Sequence, residues 1–348
     1  MTLLFFDGCD NALTMPKPQM VYGGNSASMQ LGRDGSTNGC WGTAGTSGNA
    51  VINYVPDAPI ATMIIGYGYR CDSASFVGRI NFFTGGTGTV QSGLYHNNST
   101  GQWQFYTGDK VNLQASSSPA DVYTHHAWVH VQIKVVLHAT AGTFILRVNG
   151  VELINWTGPT ALTSGTITGV TWRTNSSGGS ERLYIDDLWV CDSVNAAATQ
   201  GRPYNDFLGD LKVVTLVPTG AGDTTQWTPS VGANWDTLDE NPPDTVAYVS
   251  TSSANSGFRD LYACTDLPAE AISVLALQAK SYALSTDVGL ARYKPIVKEH
   301  GVVSPLGNHA TNISVTPYTG PMTTVRPSDG ALIGVADVNA MQIGVEVV

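Results

Sequence analysis

Apolar and polar residues alternate with a period of two along most of this chain. "APIATMIIGYGYR", "FVGRINFF", "GQWQFYTG", "AWVHVQIKVVLHA", "GTFILRVNGVELINW", "GTITGVTWR" and "ERLYIDDLWV" all follow it, and Gly, Asn, Ser and Thr clusters separate them. That pattern predicts short strands joined by tight turns, and this many at this spacing predicts a sandwich. In "AWVHVQIKVV", Val129, Val131, Ile133 and Val135 point one way, and Trp128, His130, Gln132 and Lys134 the other. This is the pattern of an antiparallel strand with one wet face. The Asn-Gly pair in "RVNGVEL" predicts a hairpin closed by a type I′ turn.

The alternation breaks at "SVNAAATQGRPYND", a small, polar stretch that reads as a linker. The expected division is residues 1–194, a linker over 195–206, and a second β-sandwich over 207–348. Strand patterns resume in "DLKVVTLVP", "DTVAYVS", "AISVLALQAKSYAL", "ARYKPIVKEH", "NISVTPYTG" and "MQIGVEVV", with one short helix expected near Val335–Ala340. "QWTPSVGANWDTLDENPPDT" reads as a long structured loop. Trp227 and Trp235 within it are candidate interface residues.

Composition narrows the function classes. The 348 residues carry 38 Gly and only 13% charged side chains, which suits a turn-rich β protein. The net charge is −10. Residues 1–200 hold 9 basic and 12 acidic side chains, and residues 201–348 hold 8 and 15. Such a chain has no electrostatic footprint for nucleic acid or for an anionic membrane. No apolar run is long enough for a membrane helix, and "MTLLFFDGCDN" lacks the basic start of a signal peptide, so synthesis in the cytoplasm is expected. The five cysteines are widely spaced without a C-x-x-C pair and read as buried free thiols.

"AWVHVQIKVVLHATAGTFILRVNGVELI" is similar to a strand and hairpin of laminin-G-like, concanavalin-A-like jelly rolls. "LYIDDLWVCD" resembles the last strand of that fold, and "LLFFDGCDN" the first. The segment from "NDFLGDLKVVTLVPTG" through "NPPDTVAYVS", with "RDLYACTDLPA" and "DVNAMQIGVEVV", resembles a group of tailed-bacteriophage virion proteins. The resemblance implies an all-β protein, a jelly roll followed by a second β-sandwich. Its implied role is a non-enzymatic part of a virion tail or head. The partners it implies are a second and third copy of the chain, other virion proteins and host glycans. Two other readings stand beside this one, a carbohydrate-binding adhesin and a polysaccharide hydrolase or lyase.

The candidate chemistry is sparse. A glycosidase needs two carboxyls on one side of a cleft, and the only two Glu in residues 1–200, Glu152 and Glu181, stand in no paired pattern. Asp186 and Asp187 are consecutive, and on a regular strand they point to opposite faces. No nucleophile elbow, phosphate loop or zinc pattern occurs. The resemblance implies a structural calcium tying first and last strands, with Asp186 and either Asp7 or Asp10 as ligands. Tyr95, Trp103, Tyr106, Trp128, Trp172 and Tyr184 are the candidate glycan-binding aromatics. In "LYIDDLWVCD", regular alternation sets Leu183, Ile185, Asp187, Trp189 and Cys191 on one face and Tyr184, Asp186, Leu188 and Val190 on the other. Both faces are apolar, so both are expected to be covered, with Asp187 and Trp189 at an interface. Cys9 is expected near Cys191 if the first and last strands pair.

Overall fold

In a computed structural model, the structure describes residues 3–9, 20–23, 27–30, 32–33, 40–43, 49–72, 77–86, 88–97, 100–118, 126–175, 183–193, 206–241, 243, 246–286 and 291–348. The chain forms two compact units, Met1–Val213 and Val214–Val348. Residues 207–213, expected with the second half, therefore belong to the first unit.

Among the described residues the first unit has fifteen strands: β1 Leu3–Asp7, β2 Met20–Gly23, β3 Ala27–Gln30, β4 Cys40–Thr43, β5 Asn49–Tyr54, β6 Thr62–Cys71, β7 Val77–Gly85, β8 Val90–Asn97, β9 Gln102–Thr107, β10 Asn112–Ser116, β11 Val129–Val136, β12 Gly142–Val148, β13 Val151–Gly158, β14 Ile167–Asn175 and β15 Leu183–Asp192. They make an eight-stranded sheet, β13-β12-β11-β6-β15-β4-β3 with β1 also on β15, and a seven-stranded sheet, β10-β9-β8-β7-β14-β5-β2. The fold is all-β, and this unit is a two-sheet sandwich.

Alternation builds the core as the pattern predicts. Val129, Val131, Ile133 and Val135 of β11 join Met63, Ile65, Tyr67 and Tyr69 of β6, and Trp103, Phe105 and Trp172 meet them from the other sheet. Phe105 stacks on Phe144 with centroids 3.8 Å apart. Burying each such side chain stabilises the fold by roughly 1.5–3 kcal/mol. The Asn149-Gly150 hairpin is present: Val148 pairs with Val151, and both turn residues have positive φ, +48° and +80°. That is the geometry of a type I′ turn, which Asn and Gly adopt with least strain.

The second unit contains β16 Pro218–Thr225, β17 Thr228–Pro229, β18 Val249–Ser250, β19 Arg259–Cys264, β20 Lys280–Ala283, β21 Arg292–Glu299, β22 Val302–Pro305, β23 His309–Ala310, β24 Thr316–Thr319 and β25 Gln342–Val347. Its main sheet runs β16-β19-β25-β21-β22, with β23 also on β21. The expected short helix, α1, spans Val335–Ala340. It packs Val338 against Val297, Leu306, Ile333 and Met341. No helix among the described residues is long and apolar enough to cross a membrane.

Candidate functional site

The outer face of the eight-stranded sheet is organised by an irregularity in β15. Asp186 pairs with Gly68 of β6, but Trp189 pairs with Gly66, so Asp187 and Leu188 together oppose Tyr67. This is a β-bulge, and Asp187 takes the left-handed conformation, φ +51°. Asp is among the few non-glycine residues that enter this region readily. The extra residue shifts the alternation by one. Leu183, Ile185, Leu188 and Val190 all lie in the core, while Trp189 covers Gly66 on the other side. The regular alternation expected from the sequence is thus corrected beyond Asp186. The two acids are not split across the sheet, because both engage Arg33.

Two glycines make room for this arrangement. Gly66 and Gly68 of β6 alternate with the core residues Ile65, Tyr67 and Tyr69, so they open onto the outer face. A methyl at Gly66 would stand 2.1 Å from Trp189 Cε2, and one at Gly68 would stand 2.3 Å from Arg33 Cδ. The Trp189 ring and the Arg33 stem therefore lie directly on the strand backbone.

Arg33 is the hub. Its backbone N–H donates to Asp186 Oδ2 at 2.8 Å, and its Nη1 donates to Asp187 Oδ2 at 3.0 Å. Nη2 donates to both carboxylate oxygens of Asp210 at 2.9 Å. The other Asp186 oxygen accepts the Asp187 N–H at 2.7 Å. Burial opposes the Arg33 charge, but Asp187, Asp210 and Asp186 outweigh it and hold the guanidinium above its ordinary value. Burial pushes the Asp187 carboxyl up, against the Val213 N–H and Arg33, which pull it down. His130 lies beside this group. Burial drives its pKa from 6.5 to about 4, with Asp210 raising it and Arg33 lowering it further.

A strap of chain, residues 206–213, crosses this face. Gly209 N–H donates to Gln132 Oε1 at 3.0 Å, and Val213 N–H donates to Asp187 Oδ1 at 2.8 Å. Phe207 lies under the Arg147 guanidinium at 4.2 Å, and Asp206 lies 4.0 Å from Lys134. His130 and Gln132, expected on a wet face, are consequently buried. The expectation that β15 is covered on both sides holds in this unit, and the outer cover includes residues on both sides of the predicted linker boundary.

The six candidate aromatics separate into three pairs. Trp103 and Trp172 are fully buried in the core and present no surface to a glycan, which corrects their assignment. Tyr95 and Tyr106 pack edge-on at 4.9 Å outside the seven-stranded sheet, both buried, with the Tyr95 hydroxyl donating to Asp109 Oδ1 at 2.9 Å. Trp128 and Tyr184 meet at the end of the eight-stranded sheet, centroids 6.3 Å apart, with Trp128 half-buried. The Arg70 guanidinium lies 5.1 Å from the Tyr184 ring centre and bridges Asp72 through two hydrogen bonds of 2.7 and 2.8 Å. His126 Nδ1 stands 3.2 Å from the same carboxylate and is exposed.

Two of the three calcium candidates lie among the described residues. Asp7 Oδ1 accepts the Cys9 N–H at 2.9 Å, Asp186 is engaged as described, and Asp10 lies outside the described residues. Among the described residues no group of three or more His, Cys, Asp or Glu side chains is placed to hold a metal. Asp187 and Trp189, expected at an interface, are buried within their own unit. Cys9 and Cys191 do not approach through strand pairing: Cys191 pairs with Leu3, and Cys9 lies past the opposite end of β1. In the second unit, Trp227 Nε1 donates to the Phe258 carbonyl at 3.3 Å, and Trp235 opens a single 3₁₀ turn. Arg33, Arg70, Asp72 and Asp210 escaped the sequence reading, and His130 and Gln132 were read there only as positions on a wet face. The one local signal was "GYG" in β6, where absent side chains on one face invite a residue from elsewhere.

No family model and no curated protein matches the chain. Among solved structures it is similar to an endo-β-1,4-glucuronan lyase from the fungus Trichoderma reesei, with 11% identity over 55% of this chain and 96% of the lyase, TM-score 0.39. A Bacillus subtilis protein with a galectin-like fold matches at 10% identity over 55% and 96%, TM-score 0.42. The Emp47p carbohydrate recognition domain matches at 11% identity over 54% and 95%, TM-score 0.40. These findings overturn the expectation of a virion structural part: the matches are to a polysaccharide lyase and lectin-type proteins, and nothing in the comparisons ties the chain to a phage particle.

Proposed function

We propose that the first unit binds carbohydrate without turning it over, at the end of the eight-stranded sheet. The observation that carries this reading is the Trp128–Tyr184 pair set beside the Arg70–Asp72 ion pair. A pyranose has an apolar face of C–H groups and a rim of hydroxyls. A half-buried indole offers a flat apolar surface to the first. The planar guanidinium and carboxylate offer fixed donors and acceptors to the second. The Arg70 guanidinium is held on its face by the Tyr184 ring and on its edge by Asp72, so its orientation precedes binding and little side-chain freedom is lost. The Tyr95–Tyr106 pair is a weaker platform, since both rings are buried and the Tyr95 hydroxyl is already engaged.

The test is calorimetric titration of the full chain with neutral and acidic oligosaccharides, and the same titration of Trp128→Ala and Arg70→Ala. Binding that falls at least tenfold in Trp128→Ala, with no change in Tyr106→Phe, supports the site. Saccharide binding that is indifferent to Trp128 sinks it, and polysaccharide cleavage lost on removing an acid would replace binding with catalysis.

A further inference from the structure

We infer that the strap, residues 206–213, occupies a binding site of its own unit as an internal ligand, and that the external ligand of this site is an acidic saccharide whose carboxylate takes the place of Asp210. The inference rests on the carbohydrate reading above and extends it along the same face.

Asp210 sits on Arg33 as a bound carboxylate would, with one nitrogen donating to both oxygens at 2.9 Å. Its side chain is 53% exposed, so the pair can be exchanged from solvent without first unpacking the sheet. The strap brings two acids to a face that presents cations, Asp210 to Arg33 and Asp206 to Lys134. Arg33 reaches Asp187 through Nη1 and Asp210 through Nη2, so the Asp187 contact does not pass through the strap acid.

The strap also leaves hydrogen-bonding capacity unused. His130 Nε2 and Trp189 Nε1 are buried, each residue 1% exposed, and neither atom has a hydrogen-bond partner among the described residues. Their rings lie 6.4 Å apart, and His130 feels the charges of both Asp210 and Arg33. Buried polar groups in native proteins are nearly always satisfied. Two unsatisfied groups on the face that the strap crosses mark a surface with hydrogen-bonding capacity still unused. A uronic acid supplies what is missing. Its carboxylate fits Arg33, and its ring and hydroxyl oxygens accept from the indole and imidazole nitrogens. The face is continuous with the proposed carbohydrate site, because Gly66, Gly68 and Arg70 are successive outward positions on β6, about 7 Å apart.

The experiment compares wild type, Asp210→Asn and Asp210→Asn/Arg33→Lys as full chains, each titrated with tetragalacturonate, a neutral cello-oligosaccharide and poly-glutamate. Asp210→Asn keeps the strap's shape and removes its charge, and a melting curve checks that each variant is folded. The expected result is at least a tenfold gain in tetragalacturonate affinity in Asp210→Asn, lost again when Arg33 becomes Lys, with neutral oligosaccharide binding unchanged. No gain, an equal gain for the neutral ligand, or an equal gain for poly-glutamate overturns the inference. Neutral binding that still depends on Trp128 leaves the carbohydrate reading standing in each of those cases, and absence of any saccharide binding ends both. Should the double variant fail to fold, an Asp210→Asn gain that vanishes in Asp210→Asn/His130→Phe supports the inference and one that persists overturns it.

Discussion

Each unit buries an acid that ties down an irregular segment, and the two do it with opposite chemistry. In the second unit Asp260 is 0% exposed and accepts from the backbone N–H of Trp227 at 2.8 Å, from the Tyr262 hydroxyl at 2.9 Å, and from Gln226 N–H and Asn234 Nδ2. Four neutral donors surround one carboxylate. Three of the four, from Gln226, Trp227 and Asn234, belong to the long loop that the sequence predicts to be structured. In the first unit Asp187 meets the Arg33 guanidinium and one amide of the strap, and Arg33 in turn holds an exposed acid. Many short neutral hydrogen bonds make a permanent anchor. A charge relay ending in solvent makes a fastening that another charge can replace.

The comparison can be broken at several points. Asp260→Ala removes the acceptor of two backbone N–H groups, of the Tyr262 hydroxyl and of one of the two hydrogen bonds from Asn234 Nδ2, and we expect a loss of about 3–5 kcal/mol for the second unit in urea unfolding. A loss under about 1 kcal/mol would show that the loop is anchored elsewhere. Acid should act on the first unit instead. His130 has a pKa of about 4 in the folded chain against 6.5 ordinarily, so the unfolded chain takes up its proton first. The stability that its neutral form contributes is complete above pH 6.5 and is lost as pH falls through about 4, at a slope approaching ~1.4 kcal/mol per pH unit. Asp187, raised by burial, works in the opposite direction, so the informative curve is the difference between wild type and His130→Gln. That difference should be flat above pH 6.5, change between pH 6.5 and about 4, and level off below that. A difference independent of pH would mean that His130 is not shielded by the strap.

Smaller effects sharpen the picture. Gly66→Ala drives a methyl into the Trp189 indole and should cost about 1–3 kcal/mol, with a shift in Trp fluorescence that reports displacement of that ring. Unchanged fluorescence would remove the glycine trough from the account. Asp210→Ala should cost under ~1 kcal/mol, because its pair with Arg33 is open to solvent. Hydrogen exchange at the Gly209 and Val213 amides should nevertheless speed up well beyond what that small loss accounts for, and exchange as slow as in wild type would show a strap held without its charge.

The sandwich was legible because strand alternation is local. The Asn149-Gly150 turn and α1 were legible for the same reason, since each depends on a few adjacent residues. Trp103 and Trp172 could have been placed by parity alone: Trp103 shares it with Phe105, and Trp172 with Val170, whereas Tyr106 shares it with Gln102 and Gln104. The bulge could not be read, because one extra residue leaves no trace in composition and both parities of "LYIDDLWVCD" are apolar. Arg33 could not be read either, as 153 residues separate it from Asp186 and only folding brings them together.

A regular strand can creep along its neighbour two residues at a time and keep its apolar side inward. β15 cannot. Its bulge must stay opposite Tyr67, where Gly66 admits the Trp189 ring and Gly68 admits the Arg33 stem. A two-residue slip one way would set that indole against the Ile64 side chain, and the other way would set it on Gly68, where the Arg33 stem lies. The bulge is therefore an index mark on the central pair of the sheet, leaving one alignment of the last strand of the sandwich that closes it.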